Sequence, residues 1–282
     1  MVCTMTNNSS GIESSKMEQF FLILKHEITI DEETSSWPFM KTPWPILSIL
    51  IVYLLFVQII GPKLMEKRNA FSLKYILMAY NLSQLLFNGY ILFRFLKPQV
   101  INKFIKYGCS VNESEIYEKH NILSLANEIV WLYFINKVLD LIDTVFFVLK
   151  KKQSHVSFLH VYHHMNMAIT SWAYLKMIKD YHAVFPLALN LIVHIVMYTY
   201  YFLASLGPQI QKYLWWKKHL TFFQIIQFVM VITYFISLYI YDCTFSKVFM
   251  MYLILDCVLF LYLFVKFYIK TYKKKQKSVK FN

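Results

Sequence analysis

Seven stretches rich in apolar residues run along the chain, separated by polar segments. They cover residues 44–60, 73–93, 122–149, 158–175, 183–204, 220–240 and 248–269. Each is long enough for a helix to cross an apolar layer of about 30 Å, at a rise of about 1.5 Å per residue. We therefore predict an all-α, polytopic membrane protein with seven transmembrane helices. Residues 44–269 would form one membrane domain between an N-terminal segment, residues 1–43, and a basic tail, residues 270–282.

The composition supports a membrane protein. Apolar residues make up 57% of the chain and charged residues only 16%, whereas an average soluble domain has about 25% charged residues. Residues 1–19 are polar and lack the apolar centre of a secretory signal peptide. We therefore expect the first apolar stretch to act as a signal anchor.

The distribution of charge predicts the orientation of these spans. With seven spans, the connections on one side carry 15 Lys and Arg but one Asp or Glu, whereas the N-terminal side carries 11 of each kind. The side rich in Lys and Arg is expected to face the cytosol, so the N-terminus would be lumenal and the C-terminus cytosolic. Glycosylation sequons at Asn7, Asn8 and Asn112 fall on the predicted lumenal side. Cys109 and Cys243 also fall there, where a disulfide would persist; whether they pair or stay free is open at this stage.

A net charge of +13 invites a nucleic-acid-binding interpretation, but its distribution argues against one. The excess of positive charge lies in the predicted cytosolic connections and the tail, and no nucleic-acid recognition motif is present. We expect this charge to set the topology and to attract anionic membrane lipids. A sharper hypothesis is that it also collects an anionic substrate that carries phosphate.

Polar residues recur inside four of the predicted spans, where buried ionisable groups are costly and usually functional. Their spacing of three or four residues puts each set on one helix face. The third span has Asp140 and Asp143, the fourth His160, His163 and His164, the fifth Asn190 and His194, and the sixth Gln224 and Gln227. Counted from the cytosolic ends, these groups lie at similar depths of roughly 4–16 Å. We therefore predict a single polar cavity in the cytosolic half of the membrane.

Two kinds of chemistry fit these residues. Three or four imidazoles with a carboxylate could hold a zinc ion, which would suit a metal-dependent membrane oxidase or hydrolase. With nine His in total, several of them at membrane edges or on the lumenal side, too few remain for a di-iron centre. Alternatively, a neutral imidazole attacks a thioester and another moves protons, without a metal.

Four segments in order resemble the very-long-chain fatty acid elongases, the membrane 3-oxoacyl-CoA synthases of the endoplasmic reticulum. Residues 137–151 resemble the family's KxxExxDTxFFxLRK segment, and residues 159–164 match its histidine box. Residues 190–201 match NxxVHxxMYxYY, and residues 221–228 match TxxQxxQF. Two positions depart from the usual pattern, with Asp140 in place of Glu and Lys150 in place of Arg.

The resemblance implies a condensing enzyme that joins an acyl-CoA to malonyl-CoA, giving 3-oxoacyl-CoA, CO2 and CoA without a metal or other cofactor. It implies that His163 is the nucleophile, His194 the acid and base, and His160 and His164 the groups that orient them. Asp140, Asp143 and Asn190 would hold the imidazoles, and Gln224 and Gln227 would bind substrate. The CoA phosphates would meet Lys150, Lys151, Lys152, Lys217 and Lys218 at the cytosolic mouth. Direct condensation without an acyl-histidine remains open.

The resemblance also implies partners. The expected ones are the other membrane enzymes of the elongation cycle and the surrounding lipid, with no nucleic acid. A homo-oligomer is compatible with the sequence.

Overall fold

In the computed structural model, residues 32–107, 109, 116–178, 181–243 and 245–273 are described, and these ranges contain helices and loops but no strand. The long helices are α1 (Trp44–Glu66), α2 (Lys74–Phe95), α3 (Pro98–Tyr107), α4 (Ile116–Leu149), α5 (Phe158–Ala173), α6 (Val184–Ser205), α7 (Lys217–Ile240) and α8 (Lys247–Tyr268). Short helices lie at Glu32–Ser35, Gln153–His155, Tyr181–Ala183 and Pro208–Gln211. Turns of π-helix occur inside α1 at Phe56–Ile60 and after α5 and α8, at Tyr174–Ile178 and Ile269–Lys273.

All seven predicted apolar segments are helical, and five helices are long and apolar enough to cross a membrane: α1, α2, α6, α7 and α8 with its extension to Tyr272. The helix α4 has 34 residues but carries Lys137, Asp140 and Asp143 in its apolar part, and α5 has 16 residues before its π-helical turn. The prediction of an all-α membrane protein is therefore confirmed. The count of seven spans stays a prediction.

The helices pack in neighbouring pairs that leave apolar faces on the outside. Helix α2 packs along α6, α4 against α5, and α7 against α8. Large apolar side chains remain exposed on the outer faces, such as Leu86 (64%) and Leu255 (64%). Only 11% of the most apolar part of α8 is buried inside the protein. Such a surface suits lipid tails, because in water an apolar patch of this kind promotes association.

Helix α3 lies in a connection for which the sequence predicted no helix. Its apolar residues follow helical spacing: Val100 is buried at 1% exposure and Phe104 packs against the core, whereas Ile105 is exposed. Helices α1 and α7 also extend beyond the predicted spans, to Glu66 and from Lys217. Hydropathy marks the part of a helix that suits lipid, so it misses helical turns made of polar residues.

A disulfide joins Cys109 to Cys243, with their Cα atoms 4.4 Å apart. It links the connection between α2 and α4 to the connection between α7 and α8, across a separation of 134 residues. Cys257 is a free cysteine inside α8. The sequons at Asn7, Asn8 and Asn112, most of the N-terminal segment and residues 274–282 of the basic tail lie outside the described residues.

Candidate active site

A buried polar cluster lies between α2, α4, α5 and α6. Helix α4 supplies Lys137, Asp140 and Asp143, because spacings of three residues put all of them on its inner face. These side chains are almost fully buried, with exposed fractions of 1%, 2% and 8%. Helix α6 contributes His194 and Tyr198 on the opposite wall, four residues apart and also buried.

Asp140 is the centre of this cluster. Its Oδ2 accepts from Lys137 Nζ at 3.0 Å, and its Oδ1 accepts from Gln84 Nε2 at 3.0 Å and from the Tyr198 hydroxyl at 2.8 Å. The Tyr198 oxygen lies equally close, at 2.8 Å, to Asp143 Oδ2. A hydroxyl has one proton and donates to one acceptor at a time. The Tyr198 hydroxyl therefore bridges the two carboxyl groups and donates to one of them at a time.

Lys137 lies beside His194 but makes no well-aligned hydrogen bond with it. Its Nζ lies 3.4 Å from both ring nitrogens of His194, and an atom equidistant from both cannot align with either. The Nζ also lies 4.8 Å from the centre of the Tyr133 ring, a cation–π distance. Because Tyr133 donates to Asn190 Oδ1 at 2.8 Å, the ammonium, Tyr133 and Asn190 form one connected wall beside His194.

The three imidazoles of α5 keep ring nitrogens without partners. His160 and His164 are one turn apart with ring centres at 4.2 Å, and His163 meets His164 edge to face at 5.8 Å. In the described part of the chain, His160 Nε2, His163 Nδ1 and His164 Nδ1 are buried and make no hydrogen bond. Buried polar atoms are usually satisfied, so these nitrogens are free to engage a substrate.

A small cavity with an empty volume of about 170 Å³ lies at the centre of this cluster. Its lining residues are Lys137, Asp140, His163, His164, Met167 and His194. An ammonium, a carboxylate and three imidazoles therefore line the same cavity. Among the described residues, no group of three or more His, Cys, Asp or Glu side chains could hold a metal ion, so this arrangement does not favour the metal-dependent alternative.

A second, larger cavity adjoins the first. It has an empty volume of about 830 Å³ and is lined mainly by apolar side chains from α4 to α8 and the turns beside them. His163 and Met167 line both cavities. Along α5 the lining runs from His163 to Tyr174, where Phe235, Phe245 and Phe249 surround the far end. The eleven steps from His163 to Tyr174, the first residue after α5, correspond to about 16 Å.

The lysines proposed for CoA lie on the loop after α4 and at the start of α7. Lys150 is half-buried, and Lys151, Lys152, Lys217 and Lys218 are exposed. Burial lowers the pKa of His155 in the same loop, and the charges of Lys152 and Lys217 lower it further, so both lysines lie near it. Burial, with Lys152, also lowers the pKa of Lys150.

Aromatic contacts connect this loop to the histidines. The Phe147 ring lies 5.2 Å from the ring of His155 and 5.3 Å from that of His160. Phe147 therefore contacts both the basic loop and the buried cluster.

The predicted catalytic and supporting residues differ in their position relative to the two cavities. His163, His164, His194 and Asp140 line the small cavity, and Asn190 and Gln227 line the larger one. His160 and Asp143 lie beside the small cavity, through contacts with His164 and Tyr198. Gln224 lines neither cavity; its Nε2 approaches Met197 Sδ at 4.0 Å.

Sequence reasoning assigned no role to several residues of the cluster. They are Gln84, Asn88, Tyr133, Asn136, Lys137 and Tyr198. Gln84 and Asn88 lie four residues apart in the apolar helix α2 and are buried at 2% and 0% exposure. Buried polar residues inside a membrane span indicate function, so the same criterion applied to the second span would have found them.

Comparison with known proteins identifies the family of this chain. The model of the ELO family, described as the GNS1/SUR4 family, matches residues 38–280. The chain belongs to this family. It is 42% identical to the very long chain fatty acid elongase 4 of Macaca mulatta, over 88% of this chain and 77% of that protein. The human protein of that name is 43% identical over the same shares. The very long chain fatty acid elongase 7 of Rattus norvegicus is 38% identical over 82% of each chain.

Proposed function

We propose that this protein is the condensing enzyme of fatty acid elongation, a very-long-chain 3-oxoacyl-CoA synthase. It joins a long-chain acyl-CoA to malonyl-CoA and releases 3-oxoacyl-CoA, CO2 and CoA. The observation that carries the proposal is the position of His163, which lines both the polar cavity and the apolar cavity. A thioester carbon beside this imidazole would leave its acyl chain on the apolar side and its CoA on the polar side. Membership of a family whose relatives are named elongases supports the same activity.

In the first half-reaction, a ring nitrogen of His163 attacks the thioester carbon of the acyl-CoA. A C–N bond forms, the C–S bond breaks, and the CoA thiolate takes the proton that the imidazole gives up. His194 serves as the acid and base for this transfer. Lys137 and Asp140 lie beside His194, with Lys137 Nζ 3.4 Å and Asp140 Oδ2 3.6 Å from its Nδ1, and they keep the site polarised.

In the second half-reaction, malonyl-CoA loses CO2, and the electron pair of the broken bond attacks the acyl carbon. A C–C bond forms while the bond to His163 breaks, and the released imidazolate takes a proton from solvent through His194, which restores the neutral imidazole. Negative charge develops on the thioester oxygen of the malonyl unit during this step. The ammonium of Lys137 is a fixed positive charge in a desolvated site, and such charges stabilise transition states strongly.

The two ends of the acyl-CoA need different surroundings, and the site offers both. The apolar cavity takes the first part of the chain, since its length of about 16 Å corresponds to about a dozen carbon–carbon bonds. The lysines after α4 and at the start of α7 bind the CoA phosphates. Gln227 and Asn190 hydrogen-bond the substrate near the junction.

The proposal also includes the topology of the protein in the membrane. We count α4 and α5 as the third and fourth of seven spans in the endoplasmic reticulum membrane, with the lysine loops in the cytosol and the disulfide in the lumen. A lumenal segment of residues 1–43 and a cytosolic tail of residues 270–282 flank the membrane domain. The activity needs no metal or other cofactor, and the other membrane enzymes of the cycle complete each round.

The proposal is tested with purified protein and labelled acyl-CoA. With malonyl-CoA present, the wild type should yield a 3-oxoacyl-CoA two carbons longer; without it, mass spectrometry should find the acyl group on His163. His163→Ala should lose both signals while keeping the thermal unfolding midpoint of the wild type. His219→Ala, which removes an exposed imidazole that contacts Trp215, should keep both.

Three outcomes would contradict different parts of the proposal. A wild type that fails to extend any acyl-CoA of a broad panel contradicts the proposed function. Extension without an acyl-histidine contradicts only the covalent step and supports direct condensation. Full extension by His163→Ala contradicts the role of His163.

A further inference from the structure

An acidic side chain lies in the middle of the most apolar helix of the protein. Asp256 is the one acidic residue between Lys247 and Tyr272 of α8, whose mean hydropathy of 2.5 is the highest among the five candidate spans. It is nine residues from Lys247 and ten from Lys266, which places it about 14 Å from each. A carboxyl group at that depth is costly and marks a functional position by default.

Asp256 belongs to a small polar network between α5 and α8, here called the Asp256 cluster: Asp256, Asn166, Tyr252 and Thr170. Asn166 Nδ2 donates to Asp256 Oδ2 at 2.8 Å, and the Tyr252 hydroxyl donates to Asn166 Oδ1 at 3.1 Å. Thr170 and Tyr252 share a hydrogen bond of 2.7 Å. The network therefore fixes the position of the carboxyl group.

The Asp256 carboxyl group can accept further hydrogen bonds. Among the described residues, its one hydrogen-bond contact besides Asn166 is with the Tyr162 hydroxyl at 3.4 Å, which is long for a hydrogen bond between oxygens. A carboxylate has about four acceptor sites. Because Asp256 also lines the larger cavity, this remaining capacity lies at the wall where the acyl chain would run.

The depth of Asp256 along the cavity follows from α8. The ring of Phe260 lies 4.9 Å from the ring of His163, and Asp256 is one turn further along, about 6 Å. A thioester carbon held at His163 would therefore bring a chain atom about five carbons away to the level of Asp256.

We propose that the Asp256 cluster is a specificity site, which selects acyl-CoA substrates whose chain carries a hydroxyl about five carbons from the thioester. The hydroxyl donates to Asp256 and replaces the water that the carboxyl group would otherwise require. An unsubstituted chain covers the carboxyl group with methylene groups and leaves it with only the contacts to Asn166 and Tyr162. This proposal rests on the proposed function, because it takes the larger cavity as the acyl site.

The alternative is that Asp256 only ties α5 to α8. The two ideas differ in selectivity, since a tie affects every substrate equally. A matched control is Ser171, which lines the same cavity but whose hydroxyl is already satisfied by Met167 O at 2.7 Å and Ala168 O at 3.1 Å.

The test compares three acyl-CoA probes of equal length: unsubstituted, with a hydroxyl about five carbons from the thioester, and with a hydroxyl at the far end of the chain. With malonyl-CoA, the wild type should show a kcat/KM about tenfold or more higher for the near hydroxyl than for the other two. Asp256→Leu should abolish this preference and raise the kcat/KM for the unsubstituted chain. Ser171→Ala should leave the preference unchanged.

Binding gives a readout that does not need turnover. Without malonyl-CoA, the near-hydroxyl probe should raise the thermal unfolding midpoint of the wild type more than the unsubstituted probe does. If Asp256→Leu does not fold, Asp256→Asn, which keeps the size and loses the charge, should reduce the difference. No preference in the wild type, or an equal loss for all probes in the variant, overturns the proposal. Absence of elongation with a preserved difference in binding contradicts the proposed function and leaves the Asp256 site standing.

Discussion

Replacing Tyr198 with Phe removes a single oxygen atom that holds two buried carboxyl groups together. The Tyr198 hydroxyl lies 2.8 Å from both Asp140 and Asp143, and Tyr198 itself is fully buried. Phe keeps the ring and its contact with Tyr80, so the packing is preserved. The variant therefore isolates the contribution of the hydrogen bonds.

The size of the effect follows from the partners that remain. Asp140 keeps Lys137 and Gln84, whereas Asp143 loses its 2.8 Å contact. A hydrogen bond to a charged group contributes about 1.5–3 kcal/mol, and among the residues that the structure describes, Asp143 keeps only the neighbouring Tyr80 hydroxyl as a donor. We expect Tyr198→Phe to lower the free energy of unfolding by about 2 kcal/mol, which corresponds to about 4–8 °C in the unfolding midpoint of a protein of this size.

The assay is thermal unfolding in detergent, with elongation activity measured in parallel. Activity should fall about tenfold or more, because Asp140 also positions Lys137 beside His194, and a change of 1.4 kcal/mol in the barrier is a factor of ten. The control is Tyr201→Phe in the same helix, because in the described part of the chain the Tyr201 side chain has ring contacts but no hydrogen bond. A Tyr198→Phe variant with the midpoint and activity of the wild type would refute the view that this hydroxyl joins the two carboxyl groups.

Four further outcomes are expected. Lys137→Met should destabilise the protein by about 3 kcal/mol, because it leaves a buried carboxylate without its counter-charge, and should abolish elongation; normal activity would exclude the proposed role of the ammonium. Addition of CoA should raise the pKa of His155, because bound phosphate offsets the lysine charges that, together with burial, lower it. NMR titration measures this pKa, with His155→Gln used to assign the signal, and an unchanged pKa would argue against CoA binding there. Without reduction, denatured protein should leave Cys109 and Cys243 resistant to alkylation, and alkylation of all four cysteines would disprove the disulfide. Strong chelation should leave elongation intact, and loss of activity that returns with one metal would contradict the metal-free scheme.

Much of the fold was predictable because a membrane restricts it. A chain that crosses lipid must satisfy its backbone within each segment, so long apolar stretches become helices. The same restriction makes a buried Asp or His in such a stretch informative, and Asp140, His163 and His194 do converge on one cavity. Helix α3 was not predicted, because it lies in a polar connection whose average hydropathy does not indicate a membrane span.

What the sequence could not decide is how the helices turn toward one another. A spacing of three or four residues puts Gln224 and Gln227 near the same face, yet Gln227 lines the cavity and Gln224 does not, because residues three apart still differ by about 60° around a helix axis. The same holds for Tyr198, whose reach to both carboxyl groups depends on how α6 packs beside α4. The amino-acid sequence determined which residues are costly to bury and therefore belong together. The packing of helices against one another decided which atoms meet, and so placed His163, together with Met167, at the wall of both cavities.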